Sequence, residues 1–255
     1  MTTCERGLNS FQLKLIALCV MILDHASIAF GHISSWLHTL SRFVSPLFVF
    51  LMVVGFFYTS NRKKYALRLW GMGLFVLAGN FLVGYLTGKT AELTSHTIIL
   101  TLAMCFTIIW TLDTARHSAG ARRVWLYVLF AVLTLAGLAL GLFALEGGVE
   151  AIPVALIVYL CWPLKRGKLW MCLSIALLSV LLGLTMLPVD RGTVDWVTFL
   201  SFGSDWMQFT VIPFLLLYNG RPGPKNAFSK WMFYILYPAH LWIFALVGML
   251  LGTGA

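Results

Sequence analysis

The sequence is poor in acid and in charge of either sign. Nine Asp and Glu stand against 18 Lys and Arg in 255 residues, giving a formal net charge of +9, and charged residues make up only 11% of the chain. An ordinary soluble domain carries about 25% charged residues. Here 60% of residues are hydrophobic and the mean hydropathy is +0.89, which excludes such a domain and indicates a polytopic membrane protein. Cysteine is scarce, and Cys4, Cys19, Cys105, Cys161 and Cys172 form no CxxC pair. Four of them fall in apolar stretches, so neither a disulfide framework nor a zinc site is expected. No apolar run precedes Cys4, as a lipoprotein signal needs, and no small-residue cleavage site follows the first apolar segment, which is therefore read as a retained helix. Long polar loops and internal repeats are missing as well. The first absence leaves a single transmembrane domain over residues 1–255; the second argues against an inverted-repeat transporter.

What is present is a series of nine apolar spans, at about 11–31, 43–59, 69–86, 97–112, 124–145, 151–164, 169–187, 205–218 and 231–251. The expected fold is all-α, a helical membrane bundle. The sixth and eighth spans are short and are expected to be tilted, broken or turned toward a ligand. With the amino terminus in the cytoplasm, every basic residue except Arg42, Lys89 and Arg191 falls on the cytoplasmic side, as the positive-inside rule requires. Topology therefore explains most of the net charge, and nucleic acid is not an expected partner. Gly137 and Gly141 are spaced for close helix packing, and the featureless run Ala131–Leu145 is expected to face lipid.

Polar residues interrupt the apolar runs mainly in the first, second, eighth and ninth spans. Asp24 and His25 lie inside the first. Ionisable residues at membrane depth are costly and usually functional. His25 lies eleven positions after Lys14, about 20° beyond three helical turns and roughly 16 Å of rise. The two therefore share a face, Lys14 at the membrane surface and His25 near mid-depth. Asp24 points about 100° away, toward a neighbouring helix, where a buried carboxylate needs a partner. Arg42, at the start of the second span, is the best candidate. In the last span Tyr234, Tyr237 and His240 fall on one broad face, with Pro238 expected to kink the helix. His240 lies ten residues from Lys230 and so should share the depth of His25.

The loop Asn61–Arg68, NRKKYALR, holds Arg62, Lys63, Lys64 and Arg68. Positive-inside anchoring accounts for part of this charge, and a phosphate clamp is the sharper reading. In Tyr218–Lys225, YNGRPGPK, Asn219 is placed to cap a helix end, and Arg221 and Lys225 to touch phosphate. The outer histidines His32, His38 and His96 follow no metal-ligand spacing.

Taken together, K-L-I-A-L-x-x-M-x-x-D-H, SRFVSPLFVFLMVVGFFYT, NRKKYALRL and LLLYNG…FYILYPAHL resemble the TraX family at both ends of the chain; residues 72–200 match only in hydropathy. The family's named activity is amino-terminal acetylation of pilin. It is similar in turn to transmembrane acyltransferases whose first helix carries an Arg/Lys-x10-His motif. The resemblance implies an enzyme of the bacterial inner membrane that takes acetyl or another acyl group from cytoplasmic acetyl-CoA. It implies His25 as the catalytic histidine and Lys14 as a cofactor contact. Lys in place of Arg gives up bidentate phosphate contact.

On that reading the coenzyme phosphates meet Lys14, the Asn61–Arg68 loop and Arg221 or Lys225. An acceptor amine or hydroxyl, from a pilin or a glycan, arrives from the outer side. His25 serves as general base or becomes acylated itself, and His240, Tyr237 or Tyr234 donate to the developing oxyanion. Two rival readings are a transporter relaying protons through Asp24 and His25 and a haem protein with His25 and His240 as axial ligands.

Overall fold

The structure is a computed structural model, and it describes residues 7–30, 35–95, 97–187, 189–190, 193–201, 203–224 and 226–252. It is built from α1 (Ser10–Phe30), α2 (Ser35–Leu40), α3 (Val44–Tyr58), α4 (Arg62–Thr87), α5 (Thr90–Ser95), α6 (Ile98–Arg116), α7 (Gly120–Gly141), α8 (Gly148–Cys161), α9 (Gly167–Thr185), α10 (Trp196–Leu200), α11 (Ile212–Leu217) and α12 (Ala227–Leu251). A two-residue antiparallel pairing joins Val189–Asp190 to Thr193–Val194. Among the described residues, seven helices are long and apolar enough to cross a membrane, and two shorter apolar helices, Gly148–Cys161 and Gln208–Leu217, correspond to the short sixth and eighth spans.

Local sequence sets the helix ends. Asn9 and Gln12 exchange backbone-to-side-chain hydrogen bonds at the start of α1 (3.0 and 2.9 Å), a reciprocal cap. Asn61 accepts from the Lys64 amide at 2.8 Å and starts α4, and Asn226 with Ser229 caps α12. Gly88, at φ +74°, ends α4 in the left-handed conformation that glycine adopts without strain.

Helices α3 and α6 form the interior. Phe50, Phe56, Phe106, Ile108 and Ile109 are among their fully buried side chains. Helix α7 lies at the periphery with only Gly137 buried, as expected of a lipid-facing span. A Cβ on Gly137 would come within 2.8 Å of Ile152, and one on Gly141 within 2.7 Å of the Val149 backbone, so this pair serves close helix approach.

Two joints set where α1 and α12 stand. Leu8 donates to the Leu217 carbonyl and accepts from the Asn219 amide (2.8 and 3.0 Å), while Ser10 donates to the Arg221 carbonyl at 2.9 Å. These bonds tie the start of α1 to the turn after α11. Helix α12 is held against α4 by Asn80, fully buried, which accepts from the Trp242 indole and donates to the Leu93 carbonyl, both at 2.8 Å. Gly79 makes room for that indole, because a Cβ there would lie 2.1 Å from the ring. Gly79→Ala should therefore destabilise the protein by about 1–3 kcal/mol, read as a lower thermal midpoint in detergent; an unchanged midpoint would show that the indole has room to yield.

Candidate functional site

The site forms where α1 meets α12. His25 and His240 are both buried, and the depth shared by the two residues becomes direct contact. Nδ1 of His25 lies 2.8 Å from Nε2 of His240, with the rings stacked at 5.0 Å and 17°. His240 Nδ1 also lies 2.8 Å from the Leu236 carbonyl oxygen. Tyr237 and Phe244 stand edge-on to the His240 ring at 5.8 and 5.7 Å.

Asp24 points elsewhere, as the 100° step requires. Its carboxylate accepts from Ser41 Oγ at 2.7 Å, lies 3.3 Å from His38 Nδ1 through both oxygens and 3.8 Å from an Arg42 guanidinium nitrogen. Arg42 continues to Asp205 in an ion pair and donates to the His38 carbonyl at 3.0 Å. Arg42 is thus a partner of Asp24, with Ser41 and His38 in closer contact. Ser41 and His38 sit three residues apart on the turn leading into α3, a spacing that puts both on one side.

Toward the basic face, a cavity of about 210 Å³ opens between α1, α3, α4, α6 and α12. Among the described residues, two cations line it. Lys14 Nζ sits 5.6 Å from the Phe233 ring centre, and the Arg68 guanidinium sits 5.2 Å from Tyr65 and 5.9 Å from Tyr234. Among the described residues no acidic side chain lines this cavity, and the buried Nε of Arg68 has no hydrogen-bond partner. A desolvated donor of this kind is costly and marks a place for an anionic or polar ligand. The remaining wall is apolar, including Leu18, Met52, Leu69 and Leu102. Tyr65 on α4 was not singled out in the sequence; it fits because Gly55 has no Cβ, which would lie 2.9 Å from its hydroxyl.

The other basic residues of the NRKKYALR loop stand apart from this cavity. Arg62 pairs with Asp113 at 2.5 Å and lies over Phe56 at 4.2 Å, while Tyr159 donates to the same Asp113 at 2.9 Å. That makes Arg62 a tie between α4, α6 and α8. Lys63 and Lys64 are exposed, and Asn61 is occupied as the cap of α4. Asn219 donates to the Gly7 carbonyl at 3.2 Å and accepts from the Arg221 amide at 2.9 Å; Arg221 itself is exposed. Lys225 lies outside the described residues.

On the opposite face a second cavity, about 390 Å³, is lined by His25, Asp24, His38, Arg42, Glu146, Glu150, Asp205 and Gln208. Glu146 accepts from the Ile98 amide at 2.9 Å and from Tyr237 Oη at 3.2 Å. The place of Glu146 in the cavity follows from the packing of α7 and α8 on α6. Met21 and Ile98 line both cavities and so form the wall between them.

The histidine pair does not suit a haem iron. Metal–imidazole bonds of about 2 Å would hold the two nitrogens about 4 Å apart, whereas here they are at hydrogen-bond distance in stacked rings. Among the described residues no group of three or more His, Cys, Asp or Glu is arranged for a metal; His32 and His96 lie outside those residues.

Fold and site together define a multi-pass α-helical membrane protein in which a buried histidine pair borders an acidic cavity, divided from a basic one by Met21 and Ile98. The chain belongs to the TraX protein family, whose sequence model matches residues 10–248. It is similar to the probable fimbrial assembly protein FimC, serogroup H1, of Dichelobacter nodosus, with 25% identity over 253 residues covering 91% of this chain and 93% of that protein. No solved structure matches.

Proposed function

We propose that the protein is an acyltransferase of the bacterial inner membrane, moving an acetyl or other acyl group from cytoplasmic acyl-CoA, acetyl-CoA above all, to an amine or hydroxyl presented on the outer side. The observation that carries this reading is the His25–His240 pair, with His25 on an acidic cavity that only Met21 and Ile98 divide from a basic one. The basic cavity offers Lys14 and Arg68 to a phosphate group, with an apolar passage beyond them for an uncharged arm. From Lys14 to His25 the helix rises roughly 16 Å, a distance of the order of the pantetheine arm. Met21 and Ile98 must shift for a thioester to reach His25. The acidic cavity favours an acceptor bearing a positive charge, such as a chain amino terminus. The FimC relative is named a probable fimbrial assembly protein, which makes a pilin the first acceptor to try; a surface glycan is the second.

In the reaction His25 takes the proton from the attacking amine or hydroxyl as the new bond to the acyl carbon forms and the carbon–sulfur bond breaks. Asp24, clasped by Ser41, His38 and Arg42, holds α1 rather than touching the acyl group. The same clasp disfavours a proton-relay transporter, because the carboxylate is engaged on the outer side and does not bridge the two cavities. Incubating the purified protein with labelled acetyl-CoA, and analysing pilins and glycans by mass, tests the reading. Label transfer supports it; no transfer to either class, with solute uptake into sealed vesicles instead, overturns it.

The cavity assigns Lys14 and Arg68 unequal company but the same charge. Removing either charge-assisted contact is worth about 1.5–3 kcal/mol, so Lys14→Ala and Arg68→Ala should each raise half-saturation by acetyl-CoA about 10- to 100-fold, with turnover at saturation much less affected. Lys63→Ala, on an exposed side chain, should leave it unchanged. Equal effects of all three would reduce the cavity cations to general surface charge.

A further inference from the structure

The hydrogen bonds around His240 run in one direction. Its Nδ1 lies 2.8 Å from the carbonyl oxygen of Leu236, and a carbonyl oxygen only accepts. Neutral His240 therefore carries its proton on Nδ1 and a lone pair on Nε2. That lone pair faces Nδ1 of His25 at 2.8 Å, so the contact needs the proton on His25 Nδ1. Two consecutive bonds thereby select one tautomer of each ring, and the lone pair of His25 falls on Nε2. The His240 ring has little freedom to undo this order: it is stacked on His25 and braced edge-on by Tyr237 and Phe244, on a helix that Trp242 fastens to Asn80.

We propose that His240 is the positioning residue of the site, holding His25 in the Nδ1–H tautomer so that Nε2 is the basic nitrogen. A second imidazole thus fills the place that a carboxylate takes in a serine-protease triad. His240 does not touch the acyl group. When His25 Nε2 takes the acceptor's proton, the acceptor's electron pair forms the bond to the acyl carbon and the carbon–sulfur pair leaves on the coenzyme thiolate. His25, now an imidazolium, still donates Nδ1–H to His240 Nε2, which stabilises the cation. The proton then passes from His25 Nε2 to the thiolate, and both rings return to their starting tautomers. This role rests on the acyl-transfer reading; the tautomer order itself does not.

The test combines a spectroscopic readout with kinetics. Histidine is labelled with 15N in the full chain in nanodiscs, and the ring nitrogens of His25 and His240 are assigned by comparison with His25→Gln and His240→Phe. In the wild type both rings are expected protonated at Nδ1 and bare at Nε2. In His240→Phe, His25 should become a mixture of tautomers; in His240→Gln, whose amide oxygen reaches the Nε2 position, the Nδ1–H form should return. Turnover should fall about 100-fold in His240→Phe with half-saturation by acetyl-CoA unchanged, and recover in part in His240→Gln. A wild-type His25 protonated at Nε2, or one whose tautomer is the same in His240→Phe, overturns the proposal, and the wild-type spectrum decides this even if a variant misfolds. The expected tautomers in a wild type that transfers no acyl group would instead retire the acyl-transfer reading and leave the proton order standing.

Discussion

If the protein transfers acyl groups as proposed, His25→Ala should abolish transfer and leave the protein folded and inserted. Loss of a positioned general base lowers the rate by about 10²- to 10⁴-fold, and an acyl-histidine route loses its nucleophile outright. The structural cost is smaller. His25 borders the acidic cavity, so its removal enlarges an existing space rather than opening one in packed core. The variant takes the His25 Nδ1 contact from His240 Nε2, while His240 Nδ1 keeps the Leu236 carbonyl. A buried polar atom left without a partner costs about 1–3 kcal/mol. Purified His25→Ala should therefore elute as a single species, with helix content unchanged by circular dichroism, while transferring no label from acetyl-CoA. Full transfer by that protein would remove His25 from the chemistry.

The first helix was the most legible part of the site, because periodicity along one helix needs no knowledge of its neighbours. Offsets of eleven positions from Lys14 to His25, and of ten from Lys230 to His240, are enough to put the two histidines at one depth. What the spacing does not give is the rotation of α12 that turns equal depth into a 2.8 Å contact. The NRKKYALR loop shows the same limit. Four cations close together in sequence look alike, yet α4 carries Arg62 and Arg68 about 120° apart. One reaches Asp113 and the other turns into the cavity. Glu146 was hidden for a further reason: its role depends on three elements at once, the α7–α8 turn, the first amide of α6 and Tyr237 on α12. The nine apolar spans were readable because hydropathy is a property of composition, and the two short ones became α8 and the stretch around α11.

Asp24→Ala should be the most damaging substitution to stability. Its carboxylate is buried and joins α1 to the turn before α3 through Ser41, His38 and Arg42. Removing one partner of a buried ion pair costs about 3–5 kcal/mol; Arg42 keeps Asp205 and the His38 carbonyl, so about 3 kcal/mol is expected here. For a chain of this size that lowers the thermal midpoint by roughly 6–12 °C, measurable by tryptophan fluorescence in detergent at a fixed scan rate. Asp24→Asn keeps an oxygen for Ser41 and should lose less. The double variant Asp24→Ala/Arg42→Ala should recover part of the loss, since it removes the charge left behind along with its partner. The same series separates the clasp from a proton relay. A relay carboxylate lost to Asn ends proton movement with little change in midpoint, whereas a clasp lowers the midpoint, and residual acyl transfer follows the folded fraction. An unshifted midpoint in Asp24→Ala together with complete loss of transfer would move Asp24 from scaffold to chemistry.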